Sequence, residues 1–384
     1  MTTTAHPAVP AYAVWEENEQ TRRALWCMEN HSAPPKHISI VDDTLTADSA
    51  FRLANGGTAM LWRGDFQNAR QLLQALARRV DKRKKHKEDT LPAPADAFNL
   101  HRLAQSQRAR LLNSLLIELD ANFRIDLRRA PDVAAACLAA LSNKHEPLLL
   151  SLRALQGIIG AYEWRKKGIA IEGLPHNIHV HYGVFSPIRG EYIELVAKAP
   201  LPATDLAFDI GTGSGVLAAI LARRGVKKIV ATDQDPRALA CARENFQRMG
   251  LEPRIELQDT DLFPAGQSPL IVCNPPWLPA RPTLPLEHAI YDPDSRMLLG
   301  FLNGLASHLR NDGEGWLILS DLAEHLGLRS REFLLNAMEH AGLKVLARHD
   351  ARPLHPKALD ANDALHKARK AEVTSLWRLA RKVP

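Results

Sequence analysis

From Leu206 to Leu319 short apolar runs alternate with stretches of helical periodicity, and no other feature of the chain restricts its fold as tightly. The apolar runs are Leu206–Ile210, Lys228–Thr232, Arg254–Leu257, Leu270–Cys273 and Gly315–Leu319. Between them lie the helical stretches Val216–Arg224, Pro236–Met249 and Met297–Leu309. This alternation predicts a parallel sheet with helices on both faces. Two later runs, Leu343–Arg348 and Val373–Leu379, suit an antiparallel edge pair, for about seven strands in all.

The upstream half reads differently. Val14 to Glu29 has a helical pattern, His37–Val41 and Thr58–Trp62 are short β-rich runs, and Asp65 is placed to cap a helix over Phe66–Val80. The run Asp81-Lys-Arg-Lys-Lys-His-Lys-Glu-Asp89 suits either a solvated helix end or a nucleic-acid contact, and Thr90–Asp96 reads as a linker. Helical periodicity returns in Phe98–Leu119, Asp132–Leu141 and Glu146–Lys167. The expected organisation is therefore a mixed α/β region at 1–89, a helical subdomain at 97–175 and an α/β domain at 180–384. Arg102, Arg108, Arg110, Arg128 and Arg129 make the helical part basic, which suits either solvent-facing stems or a docking surface for an anionic partner.

Four cysteines spaced far apart, with no C-x-x-C pair, argue against a disulfide framework and a cysteine-based zinc site. No stretch reaches the roughly 18 apolar residues of a membrane span, and the first residues lack a secretory pattern. The expected location is the cytoplasm, with no membrane partner. A net charge of +6 permits RNA as a partner without demanding it.

Phe208-Asp-Ile-Gly-Thr-Gly-Ser-Gly-Val-Leu217 sets Gly211, Gly213 and Gly215 between a strand and a helix, where small residues let a ligand approach the backbone. Valine at 216 breaks the G-x-G-x-x-G dinucleotide fingerprint. Asp209 can hold an ammonium group, while backbone N–H groups around Thr212 and the helix start suit a carboxylate, so the zwitterion of methionine fits the turn. Asp233 follows the next strand, 22 residues beyond Gly211, where a carboxylate can accept from both ribose hydroxyls. Asp261, after the third strand, lies within reach of an adenine amino group.

The segment Ile271-Val-Cys-Asn-Pro-Pro-Trp277 places an amide, a rigid turn and an aromatic plane at a strand end. The nitrogen of a side-chain amide or of a base's exocyclic amine is a poor nucleophile because its lone pair is delocalised. Asn274 Oδ1 and the Pro275 carbonyl can each accept one N–H hydrogen bond, and Pro276 stiffens the turn. Trp277 can stack on the planar acceptor.

Asp209–Gly215, Asp233, Asp261 and Asn274–Trp277 together resemble the class I methyltransferases, and among them the small methyltransferase domain group, over roughly residues 180–384. The resemblance implies a Rossmann-like fold with a seven-stranded, mostly parallel sheet. It implies S-adenosylmethionine as cofactor, with Asn274 touching both cofactor and acceptor. The implied reaction is methyl transfer to a planar NH2 nitrogen, of a nucleobase in ribosomal or transfer RNA or of a glutamine side chain in a protein. A non-catalytic cofactor-binding RNA module is the reading of another class. Tyr182–Tyr192 resembles the segment that covers the cofactor in these families, which makes Phe185, Pro187 and Arg189 acceptor-binding candidates. Trp277 departs from the usual tyrosine or phenylalanine.

His176, His179 and His181 lie in one run in which alternate strand residues would share a face and two imidazoles could meet one ion, but no cysteine or carboxylate nearby in sequence completes a four-ligand set, so no metal site is expected. Ser214 lacks the preceding glycine of a hydrolase elbow, since residue 212 is threonine. His355-Pro-Lys and His366–Lys370 fall in a loop expected to open on the cofactor side of the sheet, with a phosphate contact or plain solvation as its roles.

Overall fold

The computed structural model describes residues 10–28, 32–82, 93–141, 146–282, 285–353, 360 and 363–382. Most of the lysine-rich run after Lys82, the linker as far as residue 92, and His355–Lys357 lie outside them.

The first segment corrects the sequence reading. Instead of a helix from Val14, β1 (Tyr12–Glu17) and β2 (Gln20–Trp26) form an antiparallel hairpin. Asn18 and Glu19 both take left-handed backbone angles, φ 52° and 60°, which is the two-residue turn whose twist matches paired strands. Ala13 and Trp15 are buried at period two, the spacing of a strand with one face covered. Then come β3 (Ile38–Val41), α1 (Ala47–Asn55), β4 (Ala59–Trp62), α2 (Phe66–Lys82), α3 (Pro94–Leu112), β5 (Leu115–Leu119), α4 (Ala134–Leu141), β6 (Leu148–Ser151) and α5 (Leu152–Lys167). Asp65 does begin α2: its Oδ1 accepts from Gln67 N at 2.9 Å. Its other oxygen accepts from Arg129 Nε at 2.6 Å.

The stretch 97–175 is not helical throughout. Leu-Leu-Ile-Glu-Leu at β5 and Leu-Leu-Leu-Ser at β6 are buried strands in a six-stranded sheet of order β1-β2-β6-β5-β4-β3. Continuous apolar runs of this length suit a buried strand and a buried helix equally, and the pairing of Leu116 with Ser151 and Leu119 with Leu148 decides the matter. Leu61, Leu116 and Leu149 pack with Trp15 in the core of this sheet. By contact the chain divides into two units, one of residues 1–91 and 100–163, the other of 92–99 and 164–384.

The second unit follows the expected alternation. It contains α6 (Glu191–Lys198), β7 (Leu206–Ile210), α7 (Val216–Arg223), β8 (Lys228–Asp233), α8 (Pro236–Met249), β9 (Ile255–Asp259), β10 (Ser268–Cys273), α9 (Arg296–His308), β11 (Leu309–Ser320), α10 (Leu322–His325), α11 (Arg331–His340), β12 (Leu343–Ala351), α12 (His366–Ala371) and β13 (Thr374–Arg381). The seven-stranded order is β12-β13-β11-β10-β7-β8-β9, parallel except for β13, which runs antiparallel between β12 and β11.

Successive strand residues face opposite ways, so each strand feeds two cores. Ala207, Ala231, Val272 and Ile318 pack with α6, α7 and Phe246 of α8. Phe208, Ile210, Ile271, Cys273 and Leu317 pack with Leu298, Phe301 and Leu305 of α9 and with α11. Among the described residues no helix is long and apolar enough to cross a membrane. All four cysteines are free thiols.

Candidate functional site

Strand order reverses around β7, whose neighbours are β10 and β8, and the crevice at such a reversal is where open α/β sheets bind ligands. Ile210 pairs with Cys273 on one side and with Thr232 on the other. The glycine turn, the loop beginning at Asn274 and Asp233 therefore leave adjacent strands at the same edge.

Gly211, Gly213 and Gly215 have φ of 71°, 56° and 83°, the left-handed region in which a Cβ is strained. Space adds to this at two of them: a Cβ on Gly211 would stand 2.5 Å from Met297 Cε, and one on Gly215 2.6 Å from Phe246 Cε1. Nothing lies within 4 Å of the corresponding position on Gly213, so the middle of the turn faces open space.

Asp209, 1% exposed, anchors the turn from below. Its Oδ2 accepts from Thr212 Oγ1 at 2.7 Å and from Ala218 N at 3.1 Å. Burial pushes this carboxyl up to about 6 against those two stabilising bonds. A desolvated carboxylate of this kind gains most from a cation, and an ammonium group fits the need. Asp233 accepts from Gly213 N at 2.9 Å and from Asp235 N at 3.0 Å, and burial raises its carboxyl as well. Asp261 stands apart from this network: half exposed, it pairs with Arg296 of α9.

Asn274 and Trp277 meet directly, the indole Nε1 donating to Asn274 Oδ1 at 2.9 Å. Arg189 lies over the Trp277 ring, its guanidinium carbon 4.9 Å from the centroid. Arg189 also donates to Glu191 at 2.8 Å and to Glu372 at 3.0 Å, so its charge is already committed. Pro187 is buried and Phe185 partly so.

His179 takes the Arg165 carbonyl at 2.6 Å on Nδ1, and His181 pairs with Glu244 at 3.1 Å. Arg369 of α12 pairs with Asp363 at 2.8 Å.

Three residues escaped the sequence reading. Asn245, fully buried on α8, accepts from His179 N at 2.8 Å and donates to the Ser214 carbonyl at 3.0 Å, tying the histidine run to the glycine turn. A polar residue on the apolar stripe of Ala238, Cys241, Ala242 and Phe246 was the available signal. Glu372 and Arg329 had none, because their partners lie far along the chain. Arg329 Nη2 donates to the Trp277 carbonyl at 3.3 Å.

Residues 193–276 match the family of ribosomal protein L11 methyltransferases (PrmA). The tRNA1(Val) (adenine(37)-N6)-methyltransferase of Shewanella amazonensis is 28% identical over 184 residues, 46% of this chain and 76% of that protein. The release factor glutamine methyltransferase of Cereibacter sphaeroides is 32% identical over 195 residues, 47% of this chain and 65% of that protein. A putative protein N5-glutamine methyltransferase of Methanocaldococcus jannaschii is 27% identical over 185 residues, 46% of this chain and 88% of that protein. Among solved structures, the ribosomal protein L11 methylase of Lactobacillus delbrueckii subsp. bulgaricus aligns with a TM-score of 0.38 at 21% identity, covering 54% of this chain and 86% of that one.

The chain carries a class I S-adenosylmethionine-dependent methyltransferase domain. Within that class it is similar to proteins whose names specify adenine N6 or glutamine as the acceptor, and the similarity spans about half of its length.

Proposed function

We propose that this protein transfers the methyl group of S-adenosylmethionine to a planar NH2 nitrogen, and that the acceptor is an exocyclic amine of a nucleobase in RNA. The observation that carries the reading is the seat of Asn274. Its carbonyl oxygen is fixed by Trp277 at the end of β10, one strand from the glycine turn. Asp209 would pair with the cofactor's ammonium group, Asp233 with its ribose and Asp261 with its adenine, the last on giving up Arg296. The bound cofactor supplies an electrophilic methyl on a positively charged sulfur.

The chain's own part is to hold the amine. Asn274 Oδ1 and the Pro275 carbonyl accept its two N–H bonds, with Trp277 against the acceptor plane and Pro276 holding the turn. No strong base is required, because the nitrogen becomes acidic once alkylated and releases a proton to water. A basic composition and a transfer RNA methyltransferase relative support RNA, and the four free thiols suit a cytoplasmic enzyme. A protein glutamine is the second reading, favoured by 32% identity to the release factor enzyme.

The test incubates the protein and labelled S-adenosylmethionine with extract from cells lacking its gene, before and after nuclease treatment. Nuclease-sensitive label, lost with Asn274→Ala, is expected. Label confined to a protein band would replace the RNA acceptor with glutamine, and unchanged turnover by Asn274→Ala would refute the catalytic assignment.

A further inference from the structure

The arginine that covers Trp277 is itself held by groups from distant parts of the sequence. Arg189 covers the indole ring, Glu191 and Glu372 fix the guanidinium from either end of the domain sequence, and the Ser320 hydroxyl at the end of β11 donates to the same Glu372 oxygen at 2.6 Å. The two carboxylate side chains are only 6% and 3% exposed, against 22% for Arg189. An arginine held by two buried carboxylates keeps a fixed plane, since each charge-assisted bond resists reorientation in a poorly solvated setting.

The indole below it has one polar atom, and that atom can only donate. Its bond to Asn274 therefore determines which end of the amide faces which way: the oxygen turns toward the indole and the NH2 away. A carbonyl oxygen has two lone pairs, so one remains for the N–H of an acceptor amine. Phenylalanine would fill the same stacking place without donating to the amide oxygen, leaving the amide's orientation to other partners.

We infer that Glu372 and Arg189 are positioning residues that act through the Trp277 indole N–H to hold Asn274 in its accepting orientation. Arg189 is on this account a brace for the aromatic plane and not an acceptor ligand. The inference rests on the proposed role of Asn274 in holding the amine.

The decisive variant replaces Trp277 by benzothienylalanine, which keeps the bicyclic shape and exchanges the N–H for sulfur. Formation of S-adenosylhomocysteine is followed in undigested extract of cells lacking the gene, which contains RNA, protein and small-molecule acceptors together. The kcat is expected to fall roughly tenfold, the weight of one ordering hydrogen bond, with S-adenosylhomocysteine affinity unchanged. Arg189→Met and Glu372→Gln should each lower kcat several-fold in the native protein and cause no further loss in the benzothienyl protein. Glu372→Asp should recover part of the rate. Full turnover by the benzothienyl protein, or losses that simply multiply, would overturn the relay. Full turnover by Asn274→Ala, or no extract-dependent turnover by the unaltered protein, would instead remove the reading beneath it.

Discussion

Replacing Asp209 by asparagine is expected to make the cofactor-free protein more stable while destroying its cofactor site. The carboxyl is buried, both of its hydrogen bonds fall on Oδ2, and an asparagine oxygen can accept the same two from Thr212 and Ala218. Burial lifts this group from an ordinary 3.8 to about 6. At pH 7 it is ionised in both the folded and unfolded chain, so the fold carries a cost of about 3 kcal/mol, at about 1.4 kcal/mol for each tenfold change in proton affinity. For a carboxyl raised in this way the sign is the reverse of the common case. Its contribution is most favourable below 3.8 and is lost as the pH rises through about 6. Asp209→Asn should therefore gain up to about 3 kcal/mol at pH 7 and little at pH 4. Urea-dependent hydrogen exchange of peptides from β7 and α7 reads the stability of this region, and calorimetric titration with S-adenosylhomocysteine reads the site. A variant less stable than the native protein at pH 7, or a gain equal at both pH values, would refute the electrostatic argument. Undiminished S-adenosylhomocysteine affinity would refute the assigned role of the carboxylate.

Gly215→Ala combines a φ of 83° with a Cβ placed 2.6 Å from the Phe246 ring, and a loss of at least about 2 kcal/mol is expected in thermal denaturation, together with loss of cofactor binding. Asn245→Leu would strand the His179 N–H and the Ser214 carbonyl in a dry setting, at about 1–3 kcal/mol for each, so both melting temperature and S-adenosylhomocysteine affinity should fall. In the N-terminal unit, Arg63 beside Glu17 holds that carboxyl down to about 2. The stability it contributes is present above 4.5 and lost as the pH falls toward 2, so exchange protection in β1 and β4 should decline across that window and decline less steeply in Glu17→Gln.

The strands that surround the cofactor crevice were legible because their flanks are punctuated. Glycines end β7, Asp235-Pro236 begins α8, and Asn274-Pro275 ends β10, so both type and boundary are written locally. Asp233 accepts from Gly213 of the glycine turn, and Asp209 accepts from Thr212 within it and Ala218 just beyond it, so both carboxylates named from the sequence lie against that turn. The N-terminal unit lacked such marks. The turn at Asn18-Glu19 uses glutamate at a left-handed position where glycine is the usual sign, and β5 and β6 are apolar without alternation because both their faces are covered. What could not be read at all was pairing at a distance. Arg189 stood out as basic near the site, but its neutralisation by Glu372 depends on a contact between residues 183 positions apart, and Asp261's tie to Arg296 depends on where α9 begins.

The insertion of β13 between β12 and β11 has a consequence for how the protein is made. Thr374–Arg381 is synthesised after every other strand of the sheet, yet it occupies an interior position, and Glu372 immediately before it completes the clasp on Arg189. A nascent chain halted before residue 372 has its glycine turn and its Asn274 loop but leaves β11 unpaired on one side and Trp277 without its full brace. On the proposed role of Glu372 and Arg189, the last strand to be synthesised therefore brings with it the contact that fixes the Asn274 loop in its accepting orientation.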